Sequence, residues 1–460
     1  MRFLFCCEFY FPSVGGVQEV MRQLAERMVA RGHQVVVATT KLANRDFTEH
    51  NGVQIAEFAI HGNNARGIHG EVDRYQKFVC DFDGNAIMIK AAQQWSFDAL
   101  WPILDRITTR KVFIPCGFSG LYEPMFNEYF KQLPAVLKKF DHLIFYAERY
   151  RDIDFARAHD ISNFTVLPNG ASEQEFDAPP DPGFRARHGI GEDDFVFLTV
   201  GSLNGMKGHR EIAEAFSRMK PGRKNVKLIL NGNQPPRPVA DMSSKPFNAP
   251  VLTKEDSALF RYRRRLTAVK TRVSGLAYRS LSVFRREGFA GVRQRIVYLL
   301  PQRMKGGKVI SASSLIDHWA EKANAQGPSK RVLLTDFGRN DLVQAYMAAD
   351  LFVFASNIEY SPLVLYETVA AGTPFLSVPV GNAEEIASWT GGGSIFPARK
   401  DDRGYVWVDP AELAVELRAW CSKRGELSNK GLAARQTWKE KFTWDKISRQ
   451  YERILSAQVD

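Results

Sequence analysis

The chain has 460 residues, of which 45% are hydrophobic and 25% charged, with 62 Lys and Arg against 51 Asp and Glu. That length exceeds what one hydrophobic core supports, so two or three domains are expected, and the near-average composition excludes a disordered, collagen-like or coiled-coil chain. The formal charge of +11 is local: Val251 to Lys308 holds fifteen Lys or Arg against three acids, +12, which leaves −1 for the rest of the chain. The basicity therefore speaks for the partner of that segment and little for the main site. No stretch of eighteen apolar residues is present, which argues against a membrane-spanning helix. The opening MRFLFCCEFYFPS carries one Arg and an apolar run broken by Glu8, and reads as a first strand rather than a secretory signal. Five cysteines, Cys6 and Cys7 adjacent, show no metal or disulfide spacing and point to a reduced, cytoplasmic protein.

In chain order, Arg2 to Cys7 is the first expected strand, followed by a loop, Phe9 to Gly16, that carries Pro12 and the pair Gly15-Gly16. Val17, Val20, Met21, Leu24, Ala25, Met28 and Val29 then repeat at the helical period, Gly32 stops the helix, and Gln34 to Thr40 is a second strand. This is a βαβ unit and implies a parallel sheet. Further strands are expected near Ala99–Ile103, Lys111–Ile114, His142–Phe145 and Thr165–Leu167. A second series begins with the strand Phe195–Val200, the glycine-bearing loop Gly201–Gly208, the helix Glu211–Met219 and the strand Val226–Leu230. It resumes with Val332–Leu334, a helix over Asp341–Ala349, the strand Leu351–Ala355, a helix around Leu363–Ala371 and the strand Pro374–Val378. A last helix is expected over Trp444–Leu455. The two series join near Ala178-Pro179-Pro180-Asp181-Pro182, and suggest twin Rossmann-like domains facing each other across a cleft. The second series is interrupted by an insertion, 234–308. In it Leu259, Tyr262, Leu266, Val269, Val273 and Leu276 form a narrow apolar seam on a helix whose other faces are rich in arginine.

The strongest chemical signal is Glu359 and Glu367, eight residues apart, one in a loop after a buried strand and one in the following helix. Ligands of open α/β sheets bind at the carboxyl ends of strands, where such a loop lies. Glu367 is flanked by apolar residues, a costly place for a charge without a fixed partner. A ribose diol would supply donors to it; pairing inside the domain is the alternative. Lys207, between Gly205 and Gly208 and just before a helix, is the best cation for a negatively charged leaving group, against the alternative of a solvated loop lysine.

These residues carry a resemblance. Glu359-x7-Glu367 resembles the E-x7-E motif of family-4 retaining glycosyltransferases of the GT-B fold, also called glycosyl transferases group 1. Gly15-Gly16 with its helix and Gly32-His33, Val166-Leu-Pro168-Asn169-Gly170, and Val200-Gly201-Ser202-Leu203 with Lys207-Gly208 are similar to further motifs of that family, as is the closing Phe442-Thr443-Trp444. The resemblance implies an N-terminal acceptor domain over 1–175 and a nucleotide-sugar donor domain over 176–443, with the final helix, 444–460, packing back on the first. It implies Glu359 and Lys207 as the catalytic pair, and donor binding by Gly15, Gly16, Gly201, Ser202, Lys207, Ser361, Pro362, Leu363 and Glu367. Cys116, Gly117 and Asn169 would face the sugar. It further implies a UDP- or GDP-linked donor as substrate, with no metal and no other cofactor. Two positions depart from the family: Ser202 stands where an arginine is common, and Cys116, in Phe113-Ile-Pro115-Cys116-Gly117, stands where a histidine is common. One cation and one imidazole are thereby missing, and a thiol cannot replace the latter as a hydrogen-bonding group.

The expected activity is retaining transfer of a sugar to an acceptor, lipid-linked or glycan, in cell-surface polysaccharide or glycolipid synthesis. A GT-B sugar-nucleotide epimerase is the enzymatic alternative; a non-catalytic membrane or nucleic-acid binding protein is the other. No nucleic-acid-binding signature accompanies the arginines, so nucleic acid is not the expected partner. The basic stretch 254–301 suits an anionic membrane surface, placing the protein peripherally on the inner face of the cell membrane. A heptad arm that pairs two protomers, or a solvated helix, are the alternatives for it.

Overall fold

The structure, a computed structural model, describes residues 1–220, 222, 225–232 and 312–457. The insertion 234–308, with the helix expected over Leu259–Leu276, lies outside the described residues.

The first sheet is built from β1 (Arg2–Cys6), β2 (Gln34–Thr40), β3 (Glu49–His50) and β4 (Val53–Phe58). A separate antiparallel hairpin, β5 (Ile60–Asn63) and β6 (Gly67–Gly70), precedes the remaining strands β7 (Ala86–Lys90), β8 (Arg110–Ile114), β9 (His142–Phe145) and β10 (Phe164–Val166). The order is β10-β9-β8-β7-β1-β2-β4-β3, and every pairing is parallel except that of the short edge strand β3. The pleat explains the apolar run of β1. Leu4 and Cys6 face one core, Phe3 and Phe5 the other, so a strand covered on both sides has no polar positions to spare.

One expected strand is corrected. Ala99–Ile103 is not extended; Trp101–Arg106 forms a 3₁₀ helix with Pro102, a residue with no N–H for a ladder, in its first turn. The strand of that region is β7, all five residues buried, between β1 and β8. Lys90 at its end, buried with its ammonium on the Tyr146 hydroxyl at 2.5 Å, breaks the apolar pattern that would have marked it.

The second sheet contains β11 (Phe195–Val200), β12 (Val226–Asn231), β13 (Lys330–Thr335), β14 (Leu351–Phe354), β15 (Phe375–Ser377) and β16 (Gly393–Ile395). Its order, β13-β12-β11-β14-β15-β16, is all parallel and reverses direction between β11 and β14. The loops leaving those two neighbours therefore diverge to opposite sides and open a crevice at their carboxyl ends. Both sheets belong to one compact unit, made of 1–236 and 316–460.

The closing helix, Trp444–Ser456, starts at Thr443, whose side chain accepts the Lys446 amide. Trp444, Ile447, Tyr451 and Leu455 line one face and join Val20, Met21 and Leu24 of the helix Gly16–Ala30 in the core beneath β1. Glu452 adds an ion pair to Arg31 at 2.6 Å and a hydrogen bond with His33 at 2.7 Å. Ile447→Ala, which empties a fully buried site, should lower the stability of the unit by about 2–5 kcal/mol in urea unfolding. The exposed Val415→Ala should change it by less than about 0.5 kcal/mol; equal effects would contradict this packing.

Candidate functional site

The crevice between β11 and β14 brings together the two residues singled out for catalysis. The loop after β11 carries Lys207, the loop after β14 carries Glu359, and the Lys207 ammonium meets Glu359 Oε1 at 2.5 Å. The pairing is local to the switch point: Asn357 N–H donates to the Met206 carbonyl at 2.8 Å, and the Ser356 hydroxyl donates to Glu359 Oε1 at 2.9 Å. Gly208 makes the approach possible. Its φ is +71°, and a Cβ there would stand 2.0 Å from the Ala355 carbonyl oxygen. Gly201, Ser202 and Lys207 thus ring the amino end of the helix His209–Arg218, where unpaired amides and the helix dipole favour an anion. His209, the first residue of that helix, packs its ring against Gly201 of this loop. Burial, and then the Lys207 charge, push its imidazole down to about 4, so it is neutral at pH 7, with Nε2 buried and without a hydrogen-bond partner among the described residues.

Glu367, on the helix Leu363–Ala370, is 8% exposed and does have a fixed partner. Arg339 meets its Oε1 at 2.7 Å and the Tyr346 hydroxyl donates to Oε2 at 3.0 Å. Each carboxylate oxygen keeps lone-pair capacity beyond these contacts. Arg339 also grips Glu175, through Nε at 2.9 Å and a terminal nitrogen at 2.6 Å. The cluster reaches the first sheet's leading helix, Gly16–Ala30. Burial alone would raise the Glu19 carboxyl, but its Arg22 and Gln23 hydrogen bonds and the nearby Arg339 charge hold it below the usual range. Gly15 and Gly16 begin that helix, and a side chain at Gly16 would meet nothing within 4 Å. Arg339 is therefore a cation of this region that spacing alone did not single out.

The sugar-pocket candidates lie where the two halves meet. Cys116 takes φ +62° after β8, and burial raises its thiol, leaving it uncharged at neutral pH. Gly117 donates its amide to Asp152 Oδ2 at 2.8 Å, so that group is already in use. Asn169 is buried and donates from Nδ2 to the Ser361 carbonyl at 3.0 Å. Pro362 precedes the helix Leu363–Ala370, and Leu363 packs with Cys116 and Tyr360 against the first half's core.

Asp152 is fully buried, and burial pushes its carboxyl up to about 7 despite hydrogen bonds from Tyr360 and the Gly117 and Ile153 amides. Asp98 is likewise raised to about 6 and Glu8 to about 7, burial leading in both. A raised carboxyl pKa means that the fold favours the neutral acid. The stabilisation is full below about pH 4, the ordinary carboxyl value, and is lost as pH rises to about 7. Tyr360, Tyr150 and Cys116, which face Asp152, are all pushed above their ordinary values and do not ionise in that window. Asp152→Asn should therefore flatten the fall in Tm between pH 4 and 7; an unchanged slope would show that Asp152 does not titrate there.

Residues 307–418 match the family described as "Glycosyl transferases group 1", a span that contains Arg339, Glu359 and Glu367 but not Lys207. No match is found among curated protein sequences. Among solved structures, the chain is similar to sucrose-phosphate synthase from Thermosynechococcus elongatus, with TM-score 0.63 and 17% identity over 98% of this chain and 97% of that one. It is similar to Anabaena Alr3699/HepE, solved with UDP and glucose, with TM-score 0.63 and 15% identity over all of both chains. WaaG, a glycosyltransferase involved in lipopolysaccharide biosynthesis, gives TM-score 0.61 and 17% identity over 99% of this chain and 100% of that one. The chain has the GT-B fold of these glycosyltransferases, and its segment 307–418 matches the glycosyl transferases group 1 family.

Proposed function

We propose that this protein is a retaining glycosyltransferase that takes a sugar from a UDP- or GDP-linked donor without a metal ion. The observation that carries the reading is the Lys207–Glu359 contact at the switch point, which sets a cation and a carboxylate together at the amino end of a helix. Departure of a nucleoside diphosphate builds negative charge on the leaving oxygen while the anomeric carbon becomes oxocarbenium-like. Lys207 and the amides of the helix His209–Arg218 would bind that growing charge more tightly than the ground state, and the barrier falls accordingly. Glu359, whose carboxylate Lys207 and Ser356 hold, stands ready to orient the sugar or to stabilise its positive ring. Glu367, fixed by Arg339 and Tyr346, offers its remaining lone pairs to the ribose hydroxyls. The UDP seen with the Anabaena protein is consistent with such a donor.

The acceptor is proposed to be lipid-linked or a glycan, in polysaccharide or glycolipid synthesis. Support for the lipid comes from the sequence of 254–301, whose arginine-rich faces and apolar seam suit an anionic membrane surface on the cytoplasmic side. No helix of the described residues is long and apolar enough to cross a membrane.

Lys207→Ala should lower turnover by on the order of a hundredfold with little change in Tm, as expected for loss of one preorganised electrostatic donor. The donor itself is found by thermal shift with UDP-, GDP- and ADP-sugars, since a ligand bound only by the native state raises Tm; no shift with any of them would sink the transferase reading. Glu367→Ala should weaken UDP and UDP-sugar together, whereas Glu359→Ala should spare UDP; equal losses of UDP affinity would refute the division of roles. Replacing 254–301 by a short flexible linker should leave donor binding intact and abolish salt-sensitive sedimentation with phosphatidylglycerol vesicles. A full-length protein that ignores such vesicles at low salt would remove the membrane from the account.

A further inference from the structure

The contacts between the two halves gather on the residue after Glu359. Tyr360 leaves the second half and inserts its ring beside two tyrosines of the first, 5.4 Å from the Tyr146 ring and 4.9 Å from the Tyr150 ring. Its hydroxyl accepts the Tyr146 amide at 2.8 Å and is hydrogen-bonded to the buried Asp152. Asp152 is fixed in turn by the amides of Gly117 at 2.8 Å and Ile153 at 2.9 Å. The seat is cut for this ring: a Cβ on Gly117 would lie 2.8 Å from Tyr360 Cγ. One residue back, the Tyr150 hydroxyl donates to the Glu359 carbonyl at 2.5 Å.

Glu359 is thus held from both sides. Its carboxylate is gripped by Lys207 and Ser356 of the second half, and its main chain by Tyr150 of the first and, through the neighbouring Tyr360, by Asp152 of the first. Building on the function proposed above, we propose that Tyr360, with Tyr150, is a positioning residue that sets the Glu359 carboxylate for catalysis only when the two halves are docked. Adhesion alone does not account for these contacts, because the junction has others that do not touch Glu359. Asn382 donates to the Tyr146 carbonyl at 2.9 Å, and Glu385 accepts the amides of Glu148 at 3.0 Å and Arg149 at 2.8 Å. A displacement of about an ångström in a positioned group is enough to cost turnover without costing binding.

The test compares Tyr360→Phe, Tyr150→Phe, their double variant, Glu385→Gln and Glu359→Gln. Readouts are kcat and KM for UDP-glucose turnover and UDP affinity by calorimetry. Each phenylalanine variant keeps its ring packing and should lower kcat about tenfold, with the UDP Kd within about twofold of wild type. The double variant should lose less than the product of the two, because both hydroxyls act on one segment. Glu385→Gln, which weakens the junction away from Glu359, should leave kcat within about twofold. A wild-type kcat in Tyr360→Phe would overturn the proposal. So would a kcat loss matched by Glu385→Gln, or one matched by an equal loss of UDP affinity, since either is what mere adhesion predicts. Wild-type turnover in Glu359→Gln would instead remove Glu359 from the mechanism and take the function reading with it, a result distinct from failure of the tyrosines alone.

Discussion

The ion pair between Lys207 and Glu359 is the contact on which the rest of the site depends. It closes the crevice where the second sheet reverses its strand order, tying the loop after β11 to the loop after β14 at 2.5 Å. Neither residue would hold this position from its own loop. Gly208 must take a left-handed turn against the Ala355 carbonyl for the first loop to come close, and Ser356 must face back to fix the second. The order of strands therefore does chemical work. It sets a cation and a carboxylate from segments about 150 residues apart beside one helix amino terminus.

A second layer of charge fixes the neighbouring carboxylate. Arg339 bridges Glu367 and Glu175, and its field extends to Glu19 on the leading helix of the first sheet. The arginine and the Tyr346 hydroxyl hold the Glu367 carboxylate in place as an acceptor. Asp152, by contrast, has only amides and a hydroxyl about it and is pushed up to about 7. Among the described residues, Glu367 thus has a cation in hydrogen-bond contact and Asp152 has none.

Much of this was legible in the residues. The pleat and the double-sided burial of β1 show as a short apolar run, and the glycines of the two loops mark turns before helices. The eight-residue spacing of Glu359 and Glu367 places one at a strand's end and one on the following helix, as the structure has it. What escaped did so for physical reasons. β7 ends in a buried lysine, which breaks the apolar signature, while Trp101-Pro102 sits in an apolar run that proline cannot continue as a ladder. Arg339 opens a helix of weak amphipathicity, and only the fold brings it to Glu367. Tyr360 looks like one more loop aromatic until Gly117, more than two hundred residues earlier, is seen to leave room for its ring.

The most direct test of the account is a crystal structure of the full chain with UDP. The diphosphate should lie against the Lys207 ammonium and the amino end of the helix His209–Arg218, with the ribose hydroxyls on Glu367 between Arg339 and Tyr346. Glu359 should be left facing the space beyond the β-phosphate, with Tyr360 still seated on Asp152. A UDP molecule bound with its ribose away from Glu367, or with its diphosphate out of reach of Lys207, would contradict the account at its centre.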